Sequence, residues 1–312
     1  MADRSQNILF ALTITASAQT FTDISATAGL TKPIIYGGVD SKKFIIETNG
    51  CGVAFYDYDN DGWMDILTLS GSKLEGAPKE ATNRLYKNNR NGTFTDVTVK
   101  AGLVRGGWAS ALTIGDFDND GLIDIAYVTG NVYPEVERFF KEYPHRSPRK
   151  IFRNLGNGKF SDISQSSGAG INDPHSSRGC AFGDFDNDGE VDWLIMNMNE
   201  PPTLLRNDDN GKNNWLEVKL IGTKSNRTAI GARVKIEYKS EDNKLRTLTD
   251  EVRSSGSYYS HNDLRVHFGI GKAAKINSIE VKWLGSGTDK ISNVASNQVI
   301  KIKEGNVTTE KK

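Results

Sequence analysis

Cysteine is nearly absent from this chain: its 312 residues include two, along with four histidines and four methionines. Two cysteines exclude a multi-disulfide scaffold and a four-cysteine zinc module. The scattered His145, His175, His261 and His267 make no spaced zinc motif. Net charge is missing as well, with 39 basic against 39 acidic side chains. That excludes a polybasic nucleic-acid binder and an acidic disordered tail as descriptions of the whole chain. No apolar run approaches the ~20 residues that span a bilayer. Neither a Gly-x-Ser-x-Gly elbow nor a phosphate-binding glycine loop occurs. The apolar share of 37% is low for a helical bundle. What is plentiful is glycine, 31 residues, above the usual ~7% and a sign of many tight turns. Composition thus predicts a soluble, turn-rich, all-β chain long enough for roughly two domains.

Two boundaries are legible. The apolar run Ile8–Ala16 is followed by small residues through Ala18, which predicts a signal peptide over 1–18 and a mature chain beginning at Gln19; a buried first strand is the alternative. Further on, residues 1–211 carry 20 basic and 28 acidic side chains, whereas residues 212–312 carry 19 and 11. This reversal of sign, at the polar run Arg206–Asn214, divides a repeat domain (19–211) from a second domain (212–304) and a polar tail (305–312).

An internal repeat organises the first domain. Asp57–Asp65, Asp116–Asp124 and Asp184–Asp192 each place Asp at positions one, three, five and nine, with Gly at six. They begin 59 and then 68 residues apart, a structural period and not low complexity. Short β-forming runs flank each loop: Val53–Phe55 and Ile66–Ser70, Ala111–Ile114 and Ile125–Thr129, Cys180–Phe182 and Trp193–Asn197. The segments Arg84–Phe94 and Lys150–Phe160 each contain Asn-Gly, a strong hairpin signal. Each period therefore predicts about four short strands, with the acidic loop turning between two of them.

Calcium takes six to eight oxygens, and a tight loop can aim alternate side chains inward at it. The first loop offers Asp57, Asp59, Asp61, the Trp63 carbonyl and Asp65. The second offers Asp116, Asp118, Asp120, the Leu122 carbonyl and Asp124; the third offers Asp184, Asp186, Asp188, the Glu190 carbonyl and Asp192. Gly at position six tolerates the required bend, and Asn60, Asn119 and Asn187 shape the turn. An EF-hand is excluded, because position twelve is Thr68, Tyr127 or Ile195 where that motif needs Glu. Four carboxylates within nine residues repel one another, and a threefold recurrence calls for a counter-ion. About three calcium ions are expected, against the alternative of acidic turns without metal.

The nonapeptides, followed by Leu-Tyr-x-Asn and Gly-x-Phe-x-Asp, resemble FG-GAP/VCBS repeats, the blade units of calcium-bearing β-propellers such as those of integrin α chains. The stretches Asn213–Ile236, Gly256–Gly271 and Ile279–Gly287 resemble the ASPIC/UnbV domain, though Leu284-Gly285 follows Trp283 where that family commonly has Pro. The pairing is similar to the cartilage acidic protein family and its bacterial relatives. The resemblance implies an all-β fold, propeller-like repeats followed by a second β domain. Three repeats fall short of the ~4 blades at which propellers close, so either residues 212–304 or a second copy is expected to cover the exposed strand edges.

In the second domain, Trp215–Leu220, Ala232–Tyr238, Leu264–Phe268, Ile279–Trp283 and Gln298–Ile302 alternate apolar and polar residues, which predicts a β-sandwich with one wet face per sheet. Its loops Ser225–Arg227 and Ser260–Asp263 either bind their own turns or make contacts. Cys51 and Cys180 either pair or stay buried thiols. The insertion Asn131–Lys150 predicts a short helix after Pro134, with Phe139, Phe140 and Tyr143 offered to a partner or packed inward. The sequence is read as a non-enzymatic, calcium-stabilised recognition or adhesion protein, secreted or on the cell surface. Its expected partner is a protein or carbohydrate at an extracellular surface, with no nucleic acid, no transmembrane span, and a homo-oligomer as one way to cover its edges. An exported polysaccharide-acting enzyme and an acidic-polysaccharide-binding accessory protein are the alternatives.

Overall fold

Short β-forming runs broken by Asn- and Gly-rich turns fold as antiparallel meanders in this computed structural model, which describes residues 21–311 except 49, 51 and 209–212. The expected leader and Cys51 lie outside the described residues.

The first blade is β1 (Val53–Tyr56), β2 (Asp65–Thr68), β3 (Arg84–Asn88) and β4 (Phe94–Asp96), hydrogen-bonded in that order. A second repeats the arrangement with β5 (Ala111–Gly115), β6 (Asp124–Val128), β7 (Lys150–Asn154) and β8 (Phe160–Asp162). The third has three strands, β9 (Ser177–Gly183), β10 (Asp192–Asn197) and β11 (Thr203–Leu205). The strands expected on either side of every acidic loop are present. Because side chains alternate across a strand, each blade has two apolar faces. Leu67, Leu69 and Leu85 of the first blade join Leu112, Ile125, Tyr127 and Phe152 of the second in one core. Ala126 and Val128 from the second blade's other face join Cys180, Phe182, Trp193 and Ile195 of the third. Cys180 is a free thiol within that core, and burial pushes its pKa up to about 11.

The insertion holds a four-residue helix, α1 (Val136–Phe139). Its aromatics divide: Phe140 packs edge-on to Phe44 and Tyr143 edge-on to Trp108, whereas Phe139 is exposed.

Residues 214–311 form two four-stranded sheets. Chain order runs β12 (Asn214–Ile221), β13 (Arg233–Lys239), β14 (Leu245–Glu251), β15 (Val266–Gly271), β16 (Lys275–Lys282), β17 (Thr288–Ala295), β18 (Val299–Lys303) and β19 (Asn306–Lys311). One sheet has the order β15-β12-β18-β19 and the other β14-β13-β16-β17. They close on a single core that includes Leu216, Val218, Val234, Ile236, Ile279 and Ile300. β12 and β18 pair in parallel; the other pairings are antiparallel. The segment read as a polar tail is β19, paired to β18: an edge strand needs backbone partners on one side and little apolar sequence. No helix among the described residues is long and apolar enough to cross a membrane.

Candidate metal centres and their junction with the second domain

The three acidic loops share one backbone. The position-four asparagines adopt positive φ (54° at Asn60, 58° at Asn119, 63° at Asn187), followed at position six by Gly62, Gly121 and Gly189 at 86°, 88° and 90°. Non-glycine residues rarely enter this region, and Asn does so most readily. The turn aims backbone N–H groups at the position-one carboxylate. Asp57 accepts from Asp61 and Gly62 (2.9 and 2.6 Å), Asp116 from Asp120 and Gly121 (3.1 and 2.8 Å), and Asp184 from Asp188 and Gly189 (3.2 and 2.9 Å). Position-five carboxylates accept the N–H of position seven: Asp61 from Trp63, Asp120 from Leu122, and Asp188 from Glu190 (3.0, 2.9 and 2.8 Å).

Carboxylate oxygens gather within 4.8 Å of one another in three places: Asp57, Asp59 and Asp61; Asp116, Asp118 and Asp124; Asp184, Asp186 and Asp192. Asp65, Asp120 and Asp188, expected in the same ligand sets, stand outside these groups. Asp65 accepts from the N–H groups of Tyr58 and Asn88 (3.2 and 2.7 Å), as Asp124 does from those of Phe117 and Asn154 (3.2 and 2.7 Å). Basic side chains enter two loops. Lys87 pairs with Asp59 and, at 2.8 Å, with Asp61; Arg90 reaches Asp61 at 2.9 Å; Arg153 reaches Asp118 at 2.5 Å and Asp120 at 3.4 Å.

Burial dominates the electrostatics. It raises the carboxyl of Asp65 to about 6, Asp120 to about 6 and Asp124 to about 8. Asp116, fully enclosed, is pushed well above the usual carboxylate range, and Asp57, Asp184 and Asp192 move upward for the same reason. Asp61 moves the other way: burial opposes its charge, but Lys87 and Arg90 outweigh it. Clustered carboxylates that resist ionising are what a divalent cation would relieve. The Asp59 Oδ1 oxygen is buried without a hydrogen-bond partner, an arrangement that otherwise costs free energy. The all-oxygen donor sets fit a hard cation.

One asparagine per blade takes a role that its place in the sequence does not reveal. The N–H groups of Asn88, Asn154 and Asn207 donate to the position-nine carboxylates of Asp65, Asp124 and Asp192 (2.7, 2.7 and 2.9 Å). The Asn154 amide also donates to the Tyr58 carbonyl of the preceding loop, and that of Asn207 to the Phe117 carbonyl (both 2.8 Å). Position four links loops in the opposite direction: the Asn60 amide donates to the Gly121 carbonyl (2.8 Å) and that of Asn119 to the Gly189 carbonyl (3.1 Å). The loops are therefore stitched blade to blade.

At the last repeat the second domain takes over. Arg265 donates to Asn187 Oδ1 (2.8 Å) and to the Asp184 carbonyl, and it pairs with Glu217 and Asp263. Burial raises the Glu217 carboxyl to about 8 against the pull of Arg265. His267 bonds the Gly189 carbonyl through Nε2 (3.1 Å), and the Gly271 N–H donates to the Asn119 carbonyl (2.9 Å). The free edge of β9 is covered from the same side: the Phe182 N–H donates to Asn262 Oδ1 and the Asp263 N–H to the Phe182 carbonyl (both 3.0 Å). Of the two expected ways to cover strand edges, the second domain supplies one at this edge. Beside the junction lies a cleft of about 910 Å³, whose lining includes Lys219, Arg227, His261, Arg265 and Lys301.

Comparison with known proteins agrees with this architecture. The family model described as FG-GAP-like repeat matches residues 57–127 and 145–195, and that described as ASPIC and UnbV matches residues 222–309. Cartilage acidic protein 1 of Xenopus tropicalis is 27% identical over 272 residues, covering 85% of this chain and 36% of that protein. The human protein of the same name is 26% identical over 297 residues, covering 91% of this chain and 38% of its own length. The chain thus spans less than half the length of these relatives. Among solved structures, a Bacteroides ovatus protein proposed to act in cell adhesion aligns with 72% of this chain and 91% of its own, at 10% identity and a TM-score of 0.23. With both family matches falling on the two structural units described above, the chain belongs with the FG-GAP-like repeat proteins that carry a C-terminal ASPIC and UnbV domain.

Proposed function

We propose that this chain is a recognition protein of the adhesion type, secreted or displayed at the cell surface, in which calcium stiffens the scaffold and carries out no chemistry. The observation that carries the reading is the placement of the acidic groups. Asp116, Asp124, Asp184 and Asp192 are buried, and their loops are tied to one another and to the second domain by Asn119, Asn207, Arg265 and His267. Ions held there would fix the relative position of blades and domain, with little room for a substrate. The ligand is a protein or carbohydrate at an extracellular surface. The basic side chains Lys219, Arg227 and Lys301 in the cleft favour an acidic polysaccharide as the second reading.

Extracellular modules bind calcium at ~10⁻⁴–10⁻³ M, and an ion at a hundred times its dissociation constant stabilises by ~2.7 kcal/mol per site. Melting temperature should rise with millimolar calcium and fall with EDTA, with magnesium a poor substitute. A melting curve that ignores all three additions sinks the calcium reading. Salt-sensitive retention on a sulfated matrix, lost on Arg227→Ala and Lys301→Ala, supports the polysaccharide ligand. Turnover of a glycan or ester substrate contradicts the non-enzymatic reading.

A further inference from the structure

The insertion Asn131–Lys150 is the part of the second blade that the repeat does not require, and it walls a cavity. Trp108, just before β5, and Asn131, just after β6, line it. The second acidic loop joins the other ends of these two strands, so the cavity lies away from the candidate metal centres. Its volume is about 250 Å³, just under the ~300–1,000 Å³ typical of ligand pockets, which suits one sugar ring with its substituents. Trp108 and Tyr143 supply an aromatic wall and pack edge-on, with ring centroids 6.2 Å apart. Tyr36 also packs against Trp108, at 5.6 Å. The polar lining is fixed in place but incompletely used. Asn131 is 1% exposed. Its N–H donates to the His145 carbonyl (2.9 Å), its carbonyl accepts from the Ser176 hydroxyl (2.8 Å) and its Oδ1 from the Tyr133 N–H (3.3 Å). Yet its Nδ2 is buried without a hydrogen-bond partner among the described residues, as is Trp108 Nε1. Such donors cost free energy until an acceptor reaches them. Of the lining charges, Arg105 and Lys150 are positive and Glu142, at the exposed rim, is negative. Arg105 pairs with Asp162 (3.0 Å), whose other oxygen accepts from the Ser164 N–H (3.0 Å). Lys150, opposite Tyr127 in the register and only partly exposed, makes no side-chain hydrogen bond or ion pair among the described residues. Burial and the neighbouring Arg105 charge lower its pKa, as an unmatched cation requires.

We infer, resting on the reading of this chain as an extracellular recognition protein, that the cavity binds one acidic sugar unit, a hexuronate, of a polysaccharide. Lys150, with Arg105 beside it, takes the carboxylate through charge-assisted hydrogen bonds. The Asn131 amide donates to a ring hydroxyl, and Glu142 accepts from another at the rim. Trp108 and Tyr143 cover the apolar face of the ring. An acidic peptide side chain would satisfy the cations but leave the Asn131 amide and Glu142 without a use, which favours the sugar. The site is separate from the basic cleft at the domain junction, with which it shares no lining residue. It also needs no calcium in contact with the ligand.

Ligand-observed NMR titration of the full chain with glucuronate and galacturonate should show binding of at least one, with glucose and galactose at least about tenfold weaker. Lys150→Gln should weaken the hexuronate by about the same factor and leave the melting temperature unchanged, whereas Lys150→Arg should keep most of the affinity. Arg105→Gln tests the same charge should Lys150→Gln fold poorly. Arg227→Ala, in the junction cleft, should have no effect. Failure to bind either hexuronate overturns the inference, and so does equal binding of the neutral sugars. Affinity lost on Arg227→Ala but kept in Lys150→Gln moves the sugar to the junction cleft, where the polysaccharide reading stands and this site does not. Binding abolished by EDTA while circular dichroism shows an intact fold places the sugar at the acidic loops and likewise overturns it. Equal competition by N-acetylaspartate would point to an acidic peptide instead. The calcium dependence of melting tests the scaffold reading independently of all these outcomes.

Discussion

Gly269→Ala is the substitution to which the domain junction should be most sensitive. Gly269 is on β15, directly over the second acidic loop. A methyl group there would lie 2.0 Å from Asp116 Oδ2, 2.4 Å from the Asn119 Cα and 2.5 Å from its carbonyl carbon. Two of those three atoms are backbone, held in place by the Asn119 amide bond to Gly189 and by the Gly271 N–H on the Asn119 carbonyl. The carboxylate cannot easily retreat, because Gly121 and Asp120 donate to it. Overpacking of this sort costs ~1–3 kcal/mol. At ~4–8 °C per kcal/mol for a unit of 60–100 residues, the second domain's transition should drop by roughly 4–24 °C if it melts alone, and by less if both domains unfold together. Differential scanning calorimetry reads the shift, and limited proteolysis within residues 206–214 reads the separation of the domains. Gly287→Ala is the control, since an added methyl there has no neighbour within 4 Å. A Gly269→Ala protein that melts and resists protease like that control would refute the close docking of β15 on the second loop.

Two further outcomes follow from the same junction and its loops. Lys87 sits between Asp59 and Asp61 as an internal counter-ion; Lys87→Gln should therefore lower the melting temperature in EDTA and enlarge the calcium-dependent rise, and a smaller rise would show that Lys87 does not compete with the ion. Burial lowers the His267 pKa from 6.5 to about 4, so the folded protein keeps the ring neutral while the unfolded chain protonates it. Its contribution to stability is whole above about pH 6.5 and fades as pH falls toward about 4; the difference in melting temperature between wild type and His267→Gln should narrow over that window, and a constant difference rejects the assignment.

Much of this architecture was legible because the repeat writes it three times. The strands beside each acidic loop combine β-branched or aromatic residues with turn residues, and they formed where that pattern placed them. The less regular strands were harder to see. β14 and β17 are largely exposed, so they carry little apolar alternation, and β19 is defined by pairing with β18. At the candidate metal centres, residue types and turn shape were readable, whereas which carboxylate oxygens come within 4.8 Å of one another was not. Asp65 and Asp124 occupy the same motif position and accept from equivalent backbone N–H groups, yet Asp124 falls within its carboxylate group and Asp65 does not, a difference of loop packing that the motif does not carry. The stitching by Asn60, Asn119, Asn154 and Asn207 depends on neighbours 61 to 96 positions away. Sequence marks such residues as turn formers and is silent about the far partner.

The asparagine links also give the array a direction of growth. Between blades the linkage is generic: an amide from one loop meets a main-chain carbonyl of the next, which any blade with the same nonapeptide can offer. At the end of the array, by contrast, Asn187 meets Arg265, and the Gly189 carbonyl meets His267, side chains that occur once. A duplicated blade inserted among the first repeats would find ready-made partners on both sides. One inserted after the third would have to reproduce the surface that fits Arg265, His267 and Trp215, whose ring leaves no room for a side chain at Gly189. Lengthening and shortening among related chains should therefore be concentrated on the amino-terminal side, with the last repeat and the second domain inherited as one cassette.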